Sequence, residues 1–457
     1  MSAPAIREHA ARARSSLLSD RQMIGPVILV AGPWLAAVAA LVIVGVRLLP
    51  QIGLGALEDL RLAVVYAFML APLSAAPTAV VATRSLALGP GMGAVLALAL
   101  CASGAGAVFL VMLVSLSLGL MGSALWPGFL MLTSSSAMVL TAMPVLAARR
   151  SELLALRSFA VGMGCAVLIS RSLATGQVSG ASVLWAFSAG NALCLVICLL
   201  RHGAGAAAPG ALREAAQALL RAAGRSWPYA LAAGCAVAGV WADKWVNWLG
   251  PTGAVTRSGF LHAPGYDGAM FLAHLSALPA LIALAAFQAG PLTRAKEDFR
   301  TGLTRGATLV SLEAQARFTS GLLWRGLLRI FVLQVAIVAA LVLMSPLMAE
   351  IAGFRLDQLL LLRLGFPATF LHSLFLGLAG ILSLTNDKMR FALLSVLFLV
   401  LNLVLTAWSL GQVGVSPLGF QLAALISILI AAPVALSSMR TFVRRHFLDG
   451  NDSLFSE

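Results

Sequence analysis

The run Leu327-Leu-Arg-Ile-Phe-Val-Leu-Gln-Val-Ala-Ile-Val-Ala-Ala-Leu-Val-Leu-Met-Ser-Pro-Leu-Met348 contains a single charged residue, Arg329, close to its start. A helix rises about 1.5 Å per residue and bilayer hydrocarbon is about 30 Å thick, so a run of this length can cross a membrane. A surface helix of a soluble protein would show one apolar stripe and one polar face. This run is apolar all round, which points to lipid as its solvent.

Similar runs recur along the chain. They place spans at 23–49, 62–83, 91–121, 125–148, 153–173 and 182–200, and again at 227–249, 266–288, 327–348, 359–385, 391–410 and 418–439. The whole composition agrees: of 457 residues 60% are hydrophobic and 11% charged, with a mean hydropathy of +0.96. A soluble domain carries about a quarter charged residues, so a cytosolic or secreted enzyme is excluded. The expected fold is an all-α polytopic membrane protein with about 12 transmembrane helices.

The 31 Lys and Arg against 17 Asp and Glu, net +14, would suggest nucleic acid in a soluble chain. Here the basic residues alternate between the two sides. Counted from an inside amino terminus, 24 of the 31 fall in the tails and even-numbered connections. Arg47, Arg61, Arg171, Arg257, Arg355 and Arg363 fall on the other side, and Lys244 inside a span. The positive-inside rule then puts both termini in the cytoplasm of a multi-pass inner-membrane protein, and no nucleic acid is needed to account for the charge. A cleavable signal peptide is not expected, because the first apolar run is too long and begins after a polar stretch. Cys101, Cys165, Cys194, Cys198 and Cys235 all lie in apolar runs, where packing explains them and no metal is called for.

The organisation looks duplicated. Residues 1–22 form a cytoplasmic segment before the first lobe, 23–200, and a linker, 201–226, precedes the second lobe, 227–439; a cytoplasmic tail, 440–457, follows. Leucines and arginines alternate between Pro209 and Arg225 as on an amphipathic surface helix, and the stretch before Met23 has a similar pattern. Pro26, Pro33, Pro72 and Pro77 in the first lobe have counterparts in Pro228 and Pro279 in the second. Each removes a backbone donor, and helix breaks at matching places suggest a transport cavity between the halves. The longest connection, 289–326, is expected to be helical and cytoplasmic, serving as a solvated linker or a docking element.

Chemistry concentrates at the end of the seventh span, in Trp241-Ala-Asp-Lys-Trp-Val-Asn-Trp248. Trp241, Trp245 and Trp248 are spaced i, i+4, i+7 on one helix face, and Asp243 and Asn247 lie on another. Aromatic faces beside carboxylate and amide suit a sugar ring; an interfacial tryptophan belt explains the tryptophans equally well. It does not explain Asp243 and Lys244, since charges inside a membrane face a partner or water. Being adjacent, the two are expected to point to different partners. Tyr266 and Asp267 open the eighth span from the same side, with His274 two turns on. Two carboxylates near one exit would either attract a cationic passenger or be neutralised by Arg257 and Lys244. Arg171, Arg363, His372 and Asp387 are further polar groups at or inside span ends. Glu58 and Asp59 lie in an expected first external loop of a dozen residues, too short to build a glycosyltransferase site, and neither His274 nor His372 has a second catalytic group beside it. No Walker motif is present, so the chain is read as a non-enzyme without a cofactor.

The segments Trp241 to Trp248 and Tyr266-Asp-Gly-Ala-Met-Phe-Leu-Ala-His-Leu-Ser-Ala-Leu-Pro279, with Gly32-Pro33-Trp34 and Leu399-Val-Leu-Asn402, resemble the PelG family of exopolysaccharide exporters. The match runs over most of the chain; the amino terminus and Pro291 to Phe299 depart from the family pattern, so the resemblance is to a divergent member. It implies the fold of the multidrug/oligosaccharidyl-lipid/polysaccharide exporter superfamily, two six-helix bundles around a central cavity. It also implies export of a cationic, N-acetylgalactosamine-rich polysaccharide, with a cytoplasmic glycosyltransferase and membrane scaffold subunits (PelF-, PelD- and PelE-like) as partners. The residues expected along the substrate path are Trp241, Asp243, Lys244, Trp245, Asn247, Trp248, Tyr266, Asp267 and His274. Two other readings share this sequence: a lipid-linked oligosaccharide flippase or drug antiporter of the same fold, and a non-transporting scaffold of a polysaccharide synthase.

Overall fold

The computed structural model describes residues 21–149, 151–173, 179–202 and 209–441. The surface helix expected before Met23 and nearly all of the carboxyl tail lie outside the described residues. The first helical stretch, α1 (Arg21–Ser85), is broken at Gly53, whose φ of 76° and ψ of 167° no residue with a Cβ adopts without strain. This single glycine stands where a dozen-residue loop was expected, and Glu58 and Asp59 are therefore on a helix. Four more helices follow: α2 (Met92–Leu118), α3 (Trp126–Ala147), α4 (Glu152–Leu173) and α5 (Gly180–Arg201). They pack on α1 and on one another.

The second group begins with α6 (Pro209–Leu249), which is continuous through Pro228, so the expected surface helix and the seventh span are one element. A two-strand antiparallel hairpin then intervenes, β1 (Ala254–Val255) and β2 (Leu261–His262), with Ala254 opposite His262. The eighth span is divided into α7 (Pro264–Leu275) and α8 (Leu278–Phe287), because Pro279 near the start of α8 has no N–H to continue the ladder. A π turn, Gln288–Leu292, leads into α9 (Thr293–Thr304), and α10 (Leu309–Ala352), α11 (Leu356–Leu384), α12 (Lys388–Val413) and α13 (Leu418–Arg440) complete the chain. Among the described residues, ten helical stretches are long and apolar enough to cross a membrane. The leg of α1 before Gly53 and helix α6 correspond to the expected first and seventh spans.

In this group α6 packs on α12, α12 on α13, α13 on α11, and α11 on α7 and α10. Gly239 allows α6 to approach α12 closely: a Cβ there would sit 2.7 Å from the Phe398 ring. Next to it the Asn402 side-chain amide donates to the Gly239 carbonyl at 2.8 Å, a bond sealed from water. Helix α6 also packs along α1, so it belongs to the interface between the two groups. Large apolar side chains such as Phe109, Leu168, Leu343 and Ile351 point outward, as a lipid-facing surface requires.

Candidate functional site

The last turns of α6 carry the charged pair. Lys244 Nζ lies 3.4 Å from Asp243 Oδ1 and also donates to the Val240 carbonyl at 3.1 Å. Asp243 is wholly buried, and its other carboxylate oxygen accepts from the Tyr266 hydroxyl at 2.7 Å. The two adjacent residues thus pair with each other, contrary to the expectation of separate partners; the long lysine stem bends back across the helix face. Asp267 is held by Trp248 Nε1 at 2.9 Å and by the Ala263 backbone N–H at 2.9 Å. Asn247 is buried and donates to the Asp243 carbonyl at 2.8 Å. The carboxylates are satisfied internally, as charges without water must be. Arg257, an alternative neutralising group, instead lies beside Gly55 on α1.

These residues also join the two helix groups. Tyr66 of α1 stacks on Trp248 with ring centroids 5.0 Å apart, and its hydroxyl donates to the Leu261 carbonyl of β2 at 2.9 Å. Phe260 at the hairpin's far turn inserts between Tyr66 and Phe129, with centroids 5.1 and 5.6 Å away. Trp245 Nε1 points to Met69 Sδ at 2.9 Å, and the Ser258 N–H donates to Asp59 at 3.3 Å. His262 lies 3.7 Å from Glu58. Trp241, half-buried, meets Trp248 at 6.4 Å. The tryptophans are therefore part of a joint, and only Trp241 and Trp245 retain some exposure.

One turn beyond Met69 along α1 a cleft of about 370 Å³ opens between the groups. Pro72, Ala76, Ala79 and Thr83 of α1, Leu140 and Pro144 of α3, and Ala233 of α6 line it. Small side chains keep it open, and Pro72 and Pro144 contribute apolar rings to its wall. At its other end the Arg84 guanidinium sits 3.7 Å over the Tyr229 ring, and the Tyr229 hydroxyl donates to Asn386 at 2.9 Å. The cleft is thus bounded by two joints between the groups, an aromatic and hydrogen-bonded one at the hairpin end and a cation–π contact at the opposite end.

His274 is not at the cleft. Its Nδ1 meets the Met270 carbonyl at 2.8 Å, and its ring lies against Phe420, which His372 also touches. Both imidazoles are inside the second helix group. Arg363 reaches Ser345 at 2.9 Å and Asp387 pairs with Arg390 at 3.5 Å, while Arg171 is exposed. Among the described residues no group of His, Cys, Asp and Glu is arranged to hold a metal. Tyr66, Phe260, Met69 and Asp59 were not among the expected site residues. Tyrosine scarcity is the signal that finds one of them: the chain has three, Tyr66, Tyr229 and Tyr266, and each ties its helix to a separate segment of the chain through its hydroxyl.

Residues 13–447 match the PelG family, described as "Putative exopolysaccharide Exporter (EPS-E)". No curated protein matches significantly. Among solved structures, the Vibrio cholerae MATE transporter VcmN in its bent form is 16% identical, with 96% of this chain covering 99% of that one at a TM-score of 0.58. An outward-facing multidrug resistance MATE family transporter of the MOP superfamily is 13% identical, with coverages of 94% and 97% and a TM-score of 0.57. A MOP superfamily transporter from Pyrococcus furiosus is also 13% identical, with coverages of 93% and 97% and a TM-score of 0.56. At such identities the likeness is one of fold: the chain has the helical architecture of the MOP transporters, along nearly its whole length.

Proposed function

The chain belongs to the PelG family of exopolysaccharide exporters, and from that premise we propose that it carries a polysaccharide from the cytoplasm to the periplasm between its two helix groups. The hairpin end faces the periplasm and the Arg84 end the cytoplasm, an orientation supported by the excess of arginine in the connections on that side. The observation that carries the reading is the cleft between α1, α3 and α6, which stops one turn short of a joint that crosses from one group to the other. Trp241, Asp243, Lys244, Trp245, Asn247, Trp248, Tyr266 and Asp267 form or support that joint. They act on the path as its outer stopper, which parts for the polymer to leave. His274 supports the stopper from inside the second group.

The passenger is a cationic, N-acetylgalactosamine-rich polymer. Family membership supports this, and once the joint parts Asp267, held by the neutral donors Trp248 Nε1 and Ala263 N–H, offers it opposite charge. A cytoplasmic glycosyltransferase supplies the polymer, with membrane scaffold subunits alongside. The chain itself makes and breaks no covalent bond.

Filling the cleft tests the route. Ala79→Trp and Ala233→Trp place indoles in a space of about 370 Å³ without touching the hairpin joint. The expected result is a fall of at least tenfold in extracellular polymer, with unchanged amounts of membrane-inserted protein and unchanged melting behaviour. Normal export by the double variant would remove the cleft from the route.

A further inference from the structure

Helix α10 has 44 residues, a length of about 66 Å, against about 30 Å of hydrocarbon. Its hairpin-side end is fixed by the left-handed Gly353 and the exposed Arg355–Asp357 ion pair at 2.6 Å. About 20 residues back from Glu350 the helix reaches Arg329, so from Arg325 to Leu309 it continues about 24 Å past the bilayer. The other leg agrees. Pro264 to Thr304 spans 41 residues, helical apart from the break at Ser276–Ala277, and counting about 20 from the hairpin side leaves a similar extension. Two spans therefore run on out of the lipid side by side.

The extensions form a stalk with a core of its own. Phe299 of α9 and Leu312 of α10 are buried against each other, with Leu303, Ala307 and Ala316 around them. Gly306, at φ 70°, makes the turn, and the Thr308 hydroxyl caps α10 by accepting from the Ser311 N–H. Along α10, Leu312, Thr319 and Leu323 face inward. The opposite face presents Val310, Ala314 and Phe318 at i, i+4, i+8, and Leu309 lies at the tip; Val310 is 73% exposed, Leu309 64% and Phe318 46%. An apolar stripe is ordinary where lipid covers it. Even at a tilt of 40° the tip at Leu309 and Val310 stays roughly 17–18 Å from the hydrocarbon, beyond the headgroups, while Phe318, roughly 8 Å out, stands at their outer edge. Residues 289–326 include six basic against three acidic residues, and Arg305 and Arg317 flank the stripe, Arg317 in a loose exposed pair with Glu313 at 3.8 Å.

We propose that this stalk is a docking mast for a soluble cytoplasmic protein that presents an apolar pocket rimmed by carboxylates, which receives Val310 and Phe318 while Arg305 and Arg317 meet the rim. The inference rests on the exporter orientation given above. Height selects a protein over a membrane surface, and the sign of the charge selects an acidic one.

A photo-crosslinking phenylalanine analogue at position 310 of the full chain, in its own cells, tests it, with the same probe at the lipid-facing Leu343 for comparison. The expected result is one discrete adduct with a soluble protein at 310 and none at 343. The crosslinked peptide carries acidic residues, and the adduct falls at least tenfold in Arg305→Glu/Arg317→Glu. Adducts with lipid or with a second copy of this chain, no protein adduct, or an adduct indifferent to the charge reversal would each overturn the proposal. Val310→Cys separates the two levels. Labelling by an impermeant maleimide only after permeabilisation upholds the orientation and leaves the crosslink to judge the docking. Labelling in intact spheroplasts sinks the orientation, and the proposal with it.

Discussion

Removing Lys244 from the charged pair at the end of α6 has a calculable effect. The lysine side chain is 9% exposed and Asp243 not at all, so Lys244→Met leaves a buried carboxylate that keeps the Tyr266 hydroxyl as its donor but has lost its cation. Breaking a buried pair from one side costs about 3–5 kcal/mol, roughly two to four powers of ten in the folding equilibrium. Asp243→Asn/Lys244→Met removes both charges, and the new amide oxygen still accepts from Tyr266. The double variant is therefore expected to be more stable than Lys244→Met alone by about 2–3 kcal/mol. Unfolding in mixed micelles by SDS titration, followed by circular dichroism, reads the parent, Lys244→Met, Asp243→Asn and the double variant, four proteins in all, on one scale. Lys244→Met within about 0.5 kcal/mol of the parent, or a double variant as damaged as the sum of the singles, would refute the idea that the pair is a desolvated unit.

Phe260→Ala empties the space between Tyr66 and Phe129 and is expected to cost about 3–5 kcal/mol, with faster hydrogen exchange confined first to residues 254–262. Asn402→Ala leaves the buried Gly239 carbonyl without its donor and should destabilise by about 1–3 kcal/mol in the same SDS titration, with α6 and α12 loosening together in exchange measurements. Gly53→Ala forces a Cβ into a backbone conformation reserved for glycine; a loss of about 1–3 kcal/mol is expected, and a neutral result would mean that the break in α1 lies elsewhere.

The helical spans were legible because the bilayer demands one thing of every residue in a crossing segment, apolarity, and that demand is local. Their ends were harder. The gap between the first two spans contains Glu58, Asp59 and Arg61, polar enough to look like a loop, but the backbone needs only Gly53 to break the helix. The stretch from Pro209 to Arg225 has the charge of a surface helix and was expected to stop before the span. Nothing in it ends a helix, and Pro228 lies inside the continuous α6. At the site the sequence drew attention to the right segment, Trp241 to Trp248, through its intramembrane charges. It could not give the partners of those charges, which depend on helix α7 and on a rotamer of Lys244 that folds back on its neighbour. Nor could it pair Trp248 with Tyr66, 182 positions away, since that contact belongs to the packing of one helix group on the other.

The joint at the hairpin end is of a strength that suits a movable element. Its contacts across the groups include the Tyr66–Leu261 and Asp59–Ser258 hydrogen bonds, the Tyr66–Trp248 stack, the Tyr66–Phe260 and Phe129–Phe260 ring contacts and the weak His262–Glu58 and Trp245–Met69 contacts. Taken at about 0.5–1.5 kcal/mol each, they amount to several kcal/mol, less whatever water restores to the parted groups. A two-state equilibrium with a gap of that size keeps a small open population, and a passenger that binds the open form about ten-thousandfold better is enough to invert it. The Asp243–Lys244–Tyr266 cluster lies on one side of the joint only, within α6 and α7. Parting the groups there need not break the charged pair, so the costly desolvated charges stay out of the moving step while the aromatic contacts carry it. That division predicts different effects from neighbouring residues: changes at Tyr66 or Phe260 shift the open population, whereas changes at Lys244 alter stability and leave the balance between the two states as it was.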